Sequence, residues 1–251
     1  GVPPDYFSKT GQLWGNPHYD WERMAMDGYA WWVARLRNDL DLYDVVRIDH
    51  FRGFEACWQV PAGAKTAVNG RWAKGPGEAI FHAMRAAIGS LPLIAEDLGV
   101  ITPEVEELRD QFKLPGMKIL QFAFDSGPDN PYLPHNFTPD CVVYTGTHDN
   151  DTTVGWLAGL SAKEKKRIHV YLGSDGHDPV WELIRCALAS VAEFAVIPMQ
   201  DLLELPGEAR MYLPGSPHGN WEWRCPRGAI LDGVGARLRE LTEMFGRLPQ
   251  G

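Results

Sequence analysis

Cysteine is scarce in this sequence, and its first residues show no pattern that would predict a signal peptide. The four cysteines lie far apart and form no Cys-x-x-Cys pair, which indicates neither a zinc site nor a dense disulfide framework. A reducing compartment is therefore expected. The first residues, Gly1–Asp5, contain no Met, no basic region and no apolar run, so they do not resemble a signal peptide. The sequence is interpreted as a segment cut from a longer protein.

Long apolar runs and an excess of positive charge are also absent. No apolar stretch approaches the roughly 18 to 20 residues that a membrane helix needs, so no membrane partner is expected. The formal net charge of −9, without any Lys/Arg cluster, would repel a phosphate backbone. No nucleic-acid partner is expected either. Hydrophobic residues make up 45% of the chain and charged residues 23%, which is typical of a globular protein.

Aromatic residues are plentiful. Ten Trp and eight Tyr supply flat, rigid and amphipathic surfaces that suit the apolar faces of sugar rings. Each of these side chains could instead pack in the protein core and have no contact with a ligand. Together with the charge, this composition favours a neutral ligand.

The pattern of apolar residues predicts alternating helices and strands. An amphipathic helix is predicted from Trp21 to about Leu40, because apolar residues recur there at helical spacing. Five segments rich in branched or aromatic residues predict strands: Asp44–Asp49, Leu93–Asp97, Met117–Phe124, Cys141–Thr145 and Phe194–Met199. Further helices are predicted over Pro76–Ile88, over Pro103–Phe112 with Thr102 as N-cap, behind a capping box of Ser161 and Glu164, and over Pro179–Ala192 behind Asp178.

This alternation predicts parallel strands joined by helical crossovers, either in a barrel or in an open doubly wound sheet. No Gly-x-Gly-x-x-Gly follows the first strand, which disfavours a dinucleotide-binding sheet. The predicted fold class is therefore α/β, the C-terminal part (about strands four to eight) of a (β/α)8 TIM-type barrel. We predict one barrel segment over 1–251: a substrate-side loop over 1–19, barrel strands and helices over 20–201, and a C-terminal loop and helix over 202–251.

Three carboxylates stand at the ends of predicted strands. Asp49, Glu96 and Asp149 lie where catalytic residues of such barrels are found. Retaining cleavage of a glycosidic bond needs one carboxylic acid to protonate the leaving oxygen and one carboxylate to attack the anomeric carbon. Each of the three, taken alone, could instead cap the helix that follows it. Together they favour a sugar-cleaving site.

The neighbours of these carboxylates suggest different roles. Arg47 lies two residues before Asp49, hence on the same face of the strand, where it can hold Asp49 ionised as a nucleophile. Glu96 must stay protonated until it acts, so we expect neighbouring carboxylates and partial burial to raise its pKa. From the residues alone, His50 and His148 are left open between a structural and a functional role. Four further acidic residues are interpreted as caps or turn residues: Asp5, Asp97, Asp151 and Asp201.

Three runs of residues carry a family resemblance. RIDHFRGF (47–54), IAEDLG (94–99) and THDNDTTVGW (147–156) resemble the catalytic segments of the amylomaltase family of 4-alpha-glucanotransferases. The opening run (1–21) and the run LPGSPHGNWEWR (213–224) resemble the family's opening and closing segments. The resemblance covers nearly the whole chain.

The resemblance implies a role for each site residue. Asp49 is expected to be the nucleophile, Glu96 the general acid and base, and Asp149 the stabiliser of the transition state. Arg47 is expected to orient the nucleophile, and His148 to bind the same sugar. Four further residues match positions that approach the glucan: Gln12, Trp14, Asn16 and Asn220.

The implied reaction moves an alpha-1,4-glucan segment to the 4-hydroxyl of an acceptor glucan or glucose by a retaining double displacement. The implied partners are maltooligosaccharides and starch- or glycogen-derived glucans, and no metal or organic cofactor is implied. A cytoplasmic location is expected, with a plastid as the alternative. Because full-length members carry a preceding half with the first barrel strands, that missing N-terminal half is an expected partner, and the isolated chain is expected to be poorly active or inactive.

Three alternatives stay open on the sequence alone. An alpha-amylase-type hydrolase or a branching enzyme uses the same three carboxylates, and the ratio of glucose transfer to reducing-end release separates it from a transferase. A non-catalytic glucan-binding module would show unchanged glucan turnover after Asp49→Asn. The third alternative is a truncated product with no function of its own.

Overall fold

A computed structural model describes residues 1–5, 8–216, 218–229 and 232–249. The chain divides into two compact units, Gly1–Met117 and Lys118–Gly251, here called the first and second units. Each is described by itself. No helix among the described residues is long and apolar enough to cross a membrane.

The first unit combines helices with two pairs of strands. β1 and β4 are parallel, with Val46 opposite Leu93 and Ile48 opposite Ala95, so both strands end at the same side of the pair. β2 and β3 form an antiparallel hairpin. The elements are α1 (Trp21–Met26), α2 (Ala30–Leu40), β1 (Val46–Ile48), a 3₁₀ turn (Phe51–Phe54), β2 (Ala56–Gln59), β3 (Arg71–Lys74), α3 (Glu78–Ile88), β4 (Leu93–Ala95) and α4 (Pro103–Gln111).

The single helix predicted from Trp21 to Leu40 is wrong, because two helices occupy this range. Gly28 and Tyr29 adopt left-handed backbone conformations, with φ of 68° and 58°, which end α1. The Asp27 carboxylate then accepts a hydrogen bond from the amide of Ala30 and starts α2. The apolar spacing continues across the break because residues on both sides, Met24 and Trp32 among them, pack against the same core.

The core of the first unit lies between β1, β4 and the helices. Fully buried large side chains come from the turn after β1, from α3, from the start of β4 and from the segment after α4. They include Phe51, Ile80, Phe81, Met84, Leu93 and Leu114. The core therefore supports the segment that follows β1, where the first candidate carboxylate lies.

The hairpin of β2 and β3 was not predicted. Its strands, Ala56–Gln59 and Arg71–Lys74, contain no β-branched residue, so the sequence offers little strand signal. Trp58 and Trp72 stand opposite each other, and their rings make an edge contact with centroids 5.3 Å apart. This cross-strand aromatic pair supplies the stabilisation that local propensity does not.

The second unit is built on a three-stranded sheet. β6 lies between β5 and β7, and it is parallel to β7, with Val142 opposite Phe194. The boundary between the units falls within β5. The elements are β5 (Gly116–Ile119), β6 (Cys141–Tyr144), α5 (Thr153–Gly159), α6 (Ala162–Leu172), α7 (Pro179–Ala189), β7 (Phe194–Val196), α8 (Met199–Leu202) and α9 (Asp232–Met244).

Most local signals in the sequence are confirmed. Each of the five predicted strand segments contains a strand, although β5 ends at Ile119 and gives way to a 3₁₀ turn over Leu120–Phe122. The capping box of Ser161 and Glu164 is present with both of its hydrogen bonds. Thr102 occupies the predicted N-cap position of α4, but in the described structure its side chain makes no capping hydrogen bond. The α/β class is confirmed, whereas the barrel numbering and the domain ranges stay predictions.

Candidate active site

Asp49 is the first residue after β1, and it is paired with Arg47. The Arg47 Nη2 donates to Asp49 Oδ1 at 2.6 Å, and the Arg47 Nε lies 3.3 Å from the Met117 sulfur. The predicted pairing of these two side chains is therefore present. The Asp49 side chain is 75% exposed, so its second oxygen is accessible to a ligand while the first is held.

Glu96 is the first residue after β4, and its carboxylate lies beside the same strand end. Its Oε2 accepts the amide of His50 at 2.6 Å, and its Oε1 accepts the amide of Leu98 at 2.9 Å. Burial raises the pKa of Glu96, and the negative charge of Asp49 adds to this rise. The two amide hydrogen bonds and the charge of Arg47 act in the opposite direction. The expected direction of the pKa shift is confirmed.

His50 joins these two carboxylates through its backbone. It adopts a left-handed conformation, with φ 52° and ψ 51°, which is uncommon for a residue other than glycine. In this conformation its amide points at Glu96. Burial lowers the pKa of its imidazole to about 4, with smaller contributions from the Gly1 amine and Arg52, so the ring is neutral at neutral pH.

The opening loop brings Trp14 to this group. The Trp14 ring meets the His50 ring edge-on, with centroids 4.8 Å apart, and its Nε1 donates to Gln12 Oε1 at 3.1 Å. Gln12 is itself fixed by two backbone hydrogen bonds to Val2. Trp14 is 41% exposed, so part of its ring is free to contact a ligand.

A cavity of about 460 Å³ adjoins these residues within the first unit. Asn16, Arg47 and Asp49 line it. Much of the remaining wall is aromatic, as expected for a surface that stacks on sugar rings. The aromatic residues lining it include Trp14, Tyr19, Trp21, Trp32 and Phe54.

Asp149 and His148 lie in the second unit, on the loop of residues 146–152 between β6 and α5. His148 Nε2 lies 3.4 Å from Asp149 Oδ2. The loop is held from within by the Asn150 side chain, which accepts the amide and the hydroxyl of Thr147, both at 2.9 Å. Arg210 donates to the backbone carbonyl of Asp149 at 2.6 Å.

The closing segment packs against this loop. The ring of Trp221 lies 5.1 Å from that of His148 and stacks on Tyr212. Both polar atoms of the Asn220 side chain bind backbone atoms. The side-chain oxygen accepts from the amide of Leu213, and the side-chain nitrogen donates to the carbonyl of Ser216. Its contact with sugar stays a prediction. Its observed hydrogen bonds connect the residue before Trp221 to Leu213 and Ser216.

Sequence reasoning missed Arg210 and Trp221. Trp221 stands next to Asn220 in a run already singled out, so its position was a usable signal. Arg210 had none, because it is 61 residues from the carbonyl that it binds.

The acidic residues interpreted as caps or turns have varied roles. Asp5 accepts a hydrogen bond from the backbone amide of Ser8, and Asp151 accepts one from the backbone amide of Thr152. Asp97 does not act as a cap: it accepts the amide of Met117 and pairs with Arg109 at 2.5 Å. Within the described part of the chain, no cluster of three or more His, Cys, Asp or Glu side chains forms a candidate metal site.

Comparisons with known proteins agree on one family. A family model described as 4-alpha-glucanotransferase matches residues 1–230. A 4-alpha-glucanotransferase of Synechocystis sp. is 54% identical over 98% of this chain and 50% of its own length. A 4-alpha-glucanotransferase of Thermus thermophilus is 53% identical over 99% of this chain and 51% of its own length. The chain thus spans about half the length of these curated relatives.

A solved structure gives the same result at the level of the fold. An amylomaltase from Streptococcus agalactiae, determined in complex with acarbose, superposes with a TM-score of 0.95 at 37% sequence identity. The match covers 98% of this chain and 50% of that protein. The agreement in sequence therefore extends to backbone structure.

Proposed function

This chain belongs to the 4-alpha-glucanotransferase family, and on that premise we propose that the whole protein transfers an alpha-1,4-glucan segment to the 4-hydroxyl of an acceptor glucan or glucose. The observation that carries the proposal is the Arg47–Asp49 pair beside a buried Glu96. An exposed carboxylate paired with an arginine and a neighbouring carboxyl with a raised pKa are the two groups that retaining glycosyl transfer requires.

Asp49 is the nucleophile in this proposal. Its free oxygen attacks the anomeric carbon while the Glu96 carboxyl gives its proton to the departing glycosidic oxygen, which leaves with the shortened glucan. A covalent glucosyl ester of Asp49 results. Arg47 keeps the carboxylate oriented before attack, because its guanidinium holds one oxygen and is itself placed against Met117.

Glu96 then changes role. In the second step its carboxylate takes the proton of the acceptor 4-hydroxyl, and the acceptor oxygen attacks the anomeric carbon and releases Asp49. Ester formation removes the negative charge of Asp49, which is one cause of the raised pKa of Glu96. The pKa therefore falls when Glu96 must act as a base. Between the two steps, the backbone amides of His50 and Leu98 stabilise the deprotonated Glu96 carboxylate.

Sugar binding in the first unit is assigned to Gln12, Trp14 and Asn16. Trp14 offers a partly exposed ring braced by His50 and Gln12, and Asn16 lines the adjoining cavity. The proposed ligands are maltooligosaccharides and the glucans of starch or glycogen. An acceptor sugar held at such a surface reaches a high effective concentration and excludes water, which favours transfer over hydrolysis.

Asp149 is proposed as the third carboxylate, which grips sugar hydroxyls in the transition state, with His148 binding the same sugar. Support comes from their environment: Trp221 packs on His148, and Arg210 fixes the backbone of Asp149. Asn220 is retained as a weaker candidate for sugar contact. Their roles rest on family membership together with this local rigidity.

The barrel numbering is likewise a proposal: β1, β4, β5, β6 and β7 correspond to strands four to eight of a (β/α)8 barrel. The parallel pairing of β1 with β4 and of β6 with β7 supports this assignment. The domain ranges 1–19, 20–201 and 202–251 and a cytoplasmic location are proposed with it.

The test is incubation with maltotriose followed by chromatography. The 251-residue chain is assayed alone and grafted in place of the matching segment of the full-length Thermus thermophilus relative. A ladder of longer maltooligosaccharides plus glucose, with a constant total of reducing ends, is expected from the grafted protein. Rising reducing ends without a ladder would instead identify a hydrolase.

Two variants serve as controls in the same assay. Asp49→Asn should abolish the ladder, with a loss of roughly 10⁴-fold or more because the nucleophile is removed. Asp44→Asn removes an exposed carboxylate just before β1 and should leave the ladder intact. A full ladder from Asp49→Asn would contradict the proposed mechanism.

A further inference from the structure

The loop of residues 146–152, which carries His148 and Asp149, begins and ends at a buried threonine. Thr145 lies directly after β6 and before the loop, and it is 1% exposed. Thr153 follows the loop as the first residue of α5 and is 0% exposed. A loop between two buried residues has its geometry set by whatever fixes those residues. The side chain that binds both threonines comes from elsewhere in the second unit.

That side chain is Asp201, on α8 just after β7. Its Oδ2 accepts the hydroxyl of Thr145 at 2.6 Å and the hydroxyl of Thr153 at 2.8 Å. Its Oδ1 accepts the amide of Thr153 at 2.7 Å. One carboxylate, 1% exposed, thus receives hydrogen bonds from both ends of the loop.

The chemistry of this contact makes it costly to remove. All three donors are neutral groups, and burial raises the pKa of Asp201 while the three hydrogen bonds oppose that rise. A buried donor that loses its acceptor destabilises the folded state, because its hydration is not restored. Truncating Asp201 leaves three such donors, so the ends of the loop are expected to separate or to admit water.

A helix cap is the simpler interpretation of Asp201, since its bond to the amide of Thr153 satisfies a donor in the first turn of α5. That role does not require Thr145. The bond to Thr145, on the strand side of the loop, makes the carboxylate a link between the two ends.

Other contacts complete the support of the loop. The side-chain amide of Gln121 donates to the backbone carbonyl of Asp151 at 2.9 Å, and the backbone amide of Gln121 donates to the carbonyl of Thr145 at 3.3 Å. Arg210 binds the carbonyl of Asp149. The acceptors of these bonds are backbone carbonyls. The Asp201 carboxylate instead binds both buried threonines, one on each side of the loop.

We propose that Asp201 is a positioning residue for Asp149: by holding Thr145 and Thr153 it fixes both ends of the 146–152 loop and thereby the placement of His148 and Asp149. The functional half of this inference rests on the proposed function. The structural half does not, and it can be tested without any activity.

Hydrogen exchange of the loop amides, measured on the grafted protein, tests the structural half. Asp201→Ala should speed exchange over residues 146–152 by about tenfold or more, since the loss of about 1.4 kcal/mol of local stability has that effect. Ile184→Ala, in the buried core of the same unit, controls for a general loss of stability. The exchange rates of residues 146–152 in the two variants are compared after correction for each variant's free energy of unfolding. Equal corrected rates would overturn the proposal.

Two milder variants keep the test informative where Asp201→Ala fails to fold. In Asp201→Asn the amide oxygen can still accept from the amide of Thr153, and the NH₂ group can donate to the two hydroxyls. Exchange should therefore stay close to that of the wild type. Thr145→Val removes the strand-side bond alone and should speed exchange of the loop, whereas unchanged exchange in Thr145→Val would contradict the link between the two ends.

Kinetics of the grafted protein test the functional half. Asp201→Ala should lower kcat for maltotriose by about tenfold to a hundredfold with little change in KM, because a misplaced Asp149 weakens transition-state binding. In an Asp149→Asn background the same change should cost much less. Equal losses in both backgrounds would show that Asp201 does not act through Asp149. A wild-type graft without transfer would refute the proposed function and leave the exchange result standing.

Discussion

At the scale of single residues, the protonation of Glu96 connects stability with catalysis. Burial and Asp49 raise its pKa above the ordinary value of 4.5, so the unfolded chain releases this proton at a lower pH than the folded chain. The contribution of Glu96 to stability is therefore complete below the ordinary value and is lost as pH rises through the folded-state pKa. The same raised pKa favours the protonated carboxyl that the proposed role of Glu96 as an acid requires.

Glu96→Gln removes this titration. Relative to that of the wild type, its free energy of unfolding should increase between pH 4 and pH 7, because only the wild type loses the Glu96 contribution as pH rises. Urea denaturation at both pH values measures this difference. Its transfer activity should fall by about 10²- to 10⁴-fold, the range for loss of a general acid and base. Glu107→Gln, an exposed change on α4, should alter neither quantity. A difference in stability that is the same at both pH values would contradict the raised pKa.

His50 predicts a pH dependence of the opposite sign. Its folded-state pKa of about 4 lies below the ordinary value of 6.5, so the unfolded chain binds the proton more readily. The contribution of His50 is present above pH 6.5 and is lost as pH falls towards 4, and it amounts to a few kcal/mol at most, at about 1.4 kcal/mol for each pKa unit.

The matching variant is His50→Asn, because Asn tolerates the left-handed backbone that His50 adopts. Its stability should decline less than that of the wild type between pH 7 and pH 4.5, as measured by chemical denaturation. His177→Asn, at a histidine whose side chain is 90% exposed, is the control. An unchanged decline in His50→Asn would show that this imidazole is not held neutral by the fold.

At the scale of elements, the break between α1 and α2 shows how backbone conformation can override periodicity. Apolar spacing alone favours one continuous helix, whereas Gly28 at φ 68° ends the first helix. Five strand positions were predictable because each lies in a short segment rich in branched or aromatic residues, but the hairpin of β2 and β3 depends on the Trp58–Trp72 contact between its strands. Partners of this kind are not visible in a local pattern.

Gly28 and Gly159 form a matched pair for a test of this break. A Cβ added at either position would meet no atom within 4 Å, so the substitutions differ mainly in backbone conformation. Gly28→Ala should cost about 1–2 kcal/mol because of its left-handed conformation. Gly159→Ala, in α5, should stabilise by about 0.4–1 kcal/mol. Urea denaturation measures both, and equal effects would contradict the assigned role of Gly28.

At the scale of the whole molecule, the chain spans about half the length of its curated relatives. It also exposes apolar side chains on a strand, since Phe194 and Val196 of β7 are 42% and 43% exposed. Apolar surface of this kind is typical of a face that other polypeptide covers. We therefore expect the relatives' additional length to be needed for activity.

The comparison between the isolated chain and the grafted protein tests this expectation. The isolated chain should yield little or no maltooligosaccharide ladder from maltotriose, and the grafted protein should yield a full one. Asp49→Asn in the graft shows whether the activity belongs to this chain. Full activity from the isolated chain would show that 251 residues suffice for glycosyl transfer.

The sequence by itself determined the α/β class, five of the strand positions, the capping box and the carboxylates at the strand ends, because each depends on residues close together along the chain. It also identified the family, through short runs of consecutive residues. Only the tertiary structure decided which groups touch. The amide of His50 meets Glu96 across 46 residues, Arg210 reaches Asp149 across 61, and Asp201 binds Thr145 and Thr153 across 56 and 48. These contacts follow from packing of the strands, and no periodicity or spacing in the sequence encodes them.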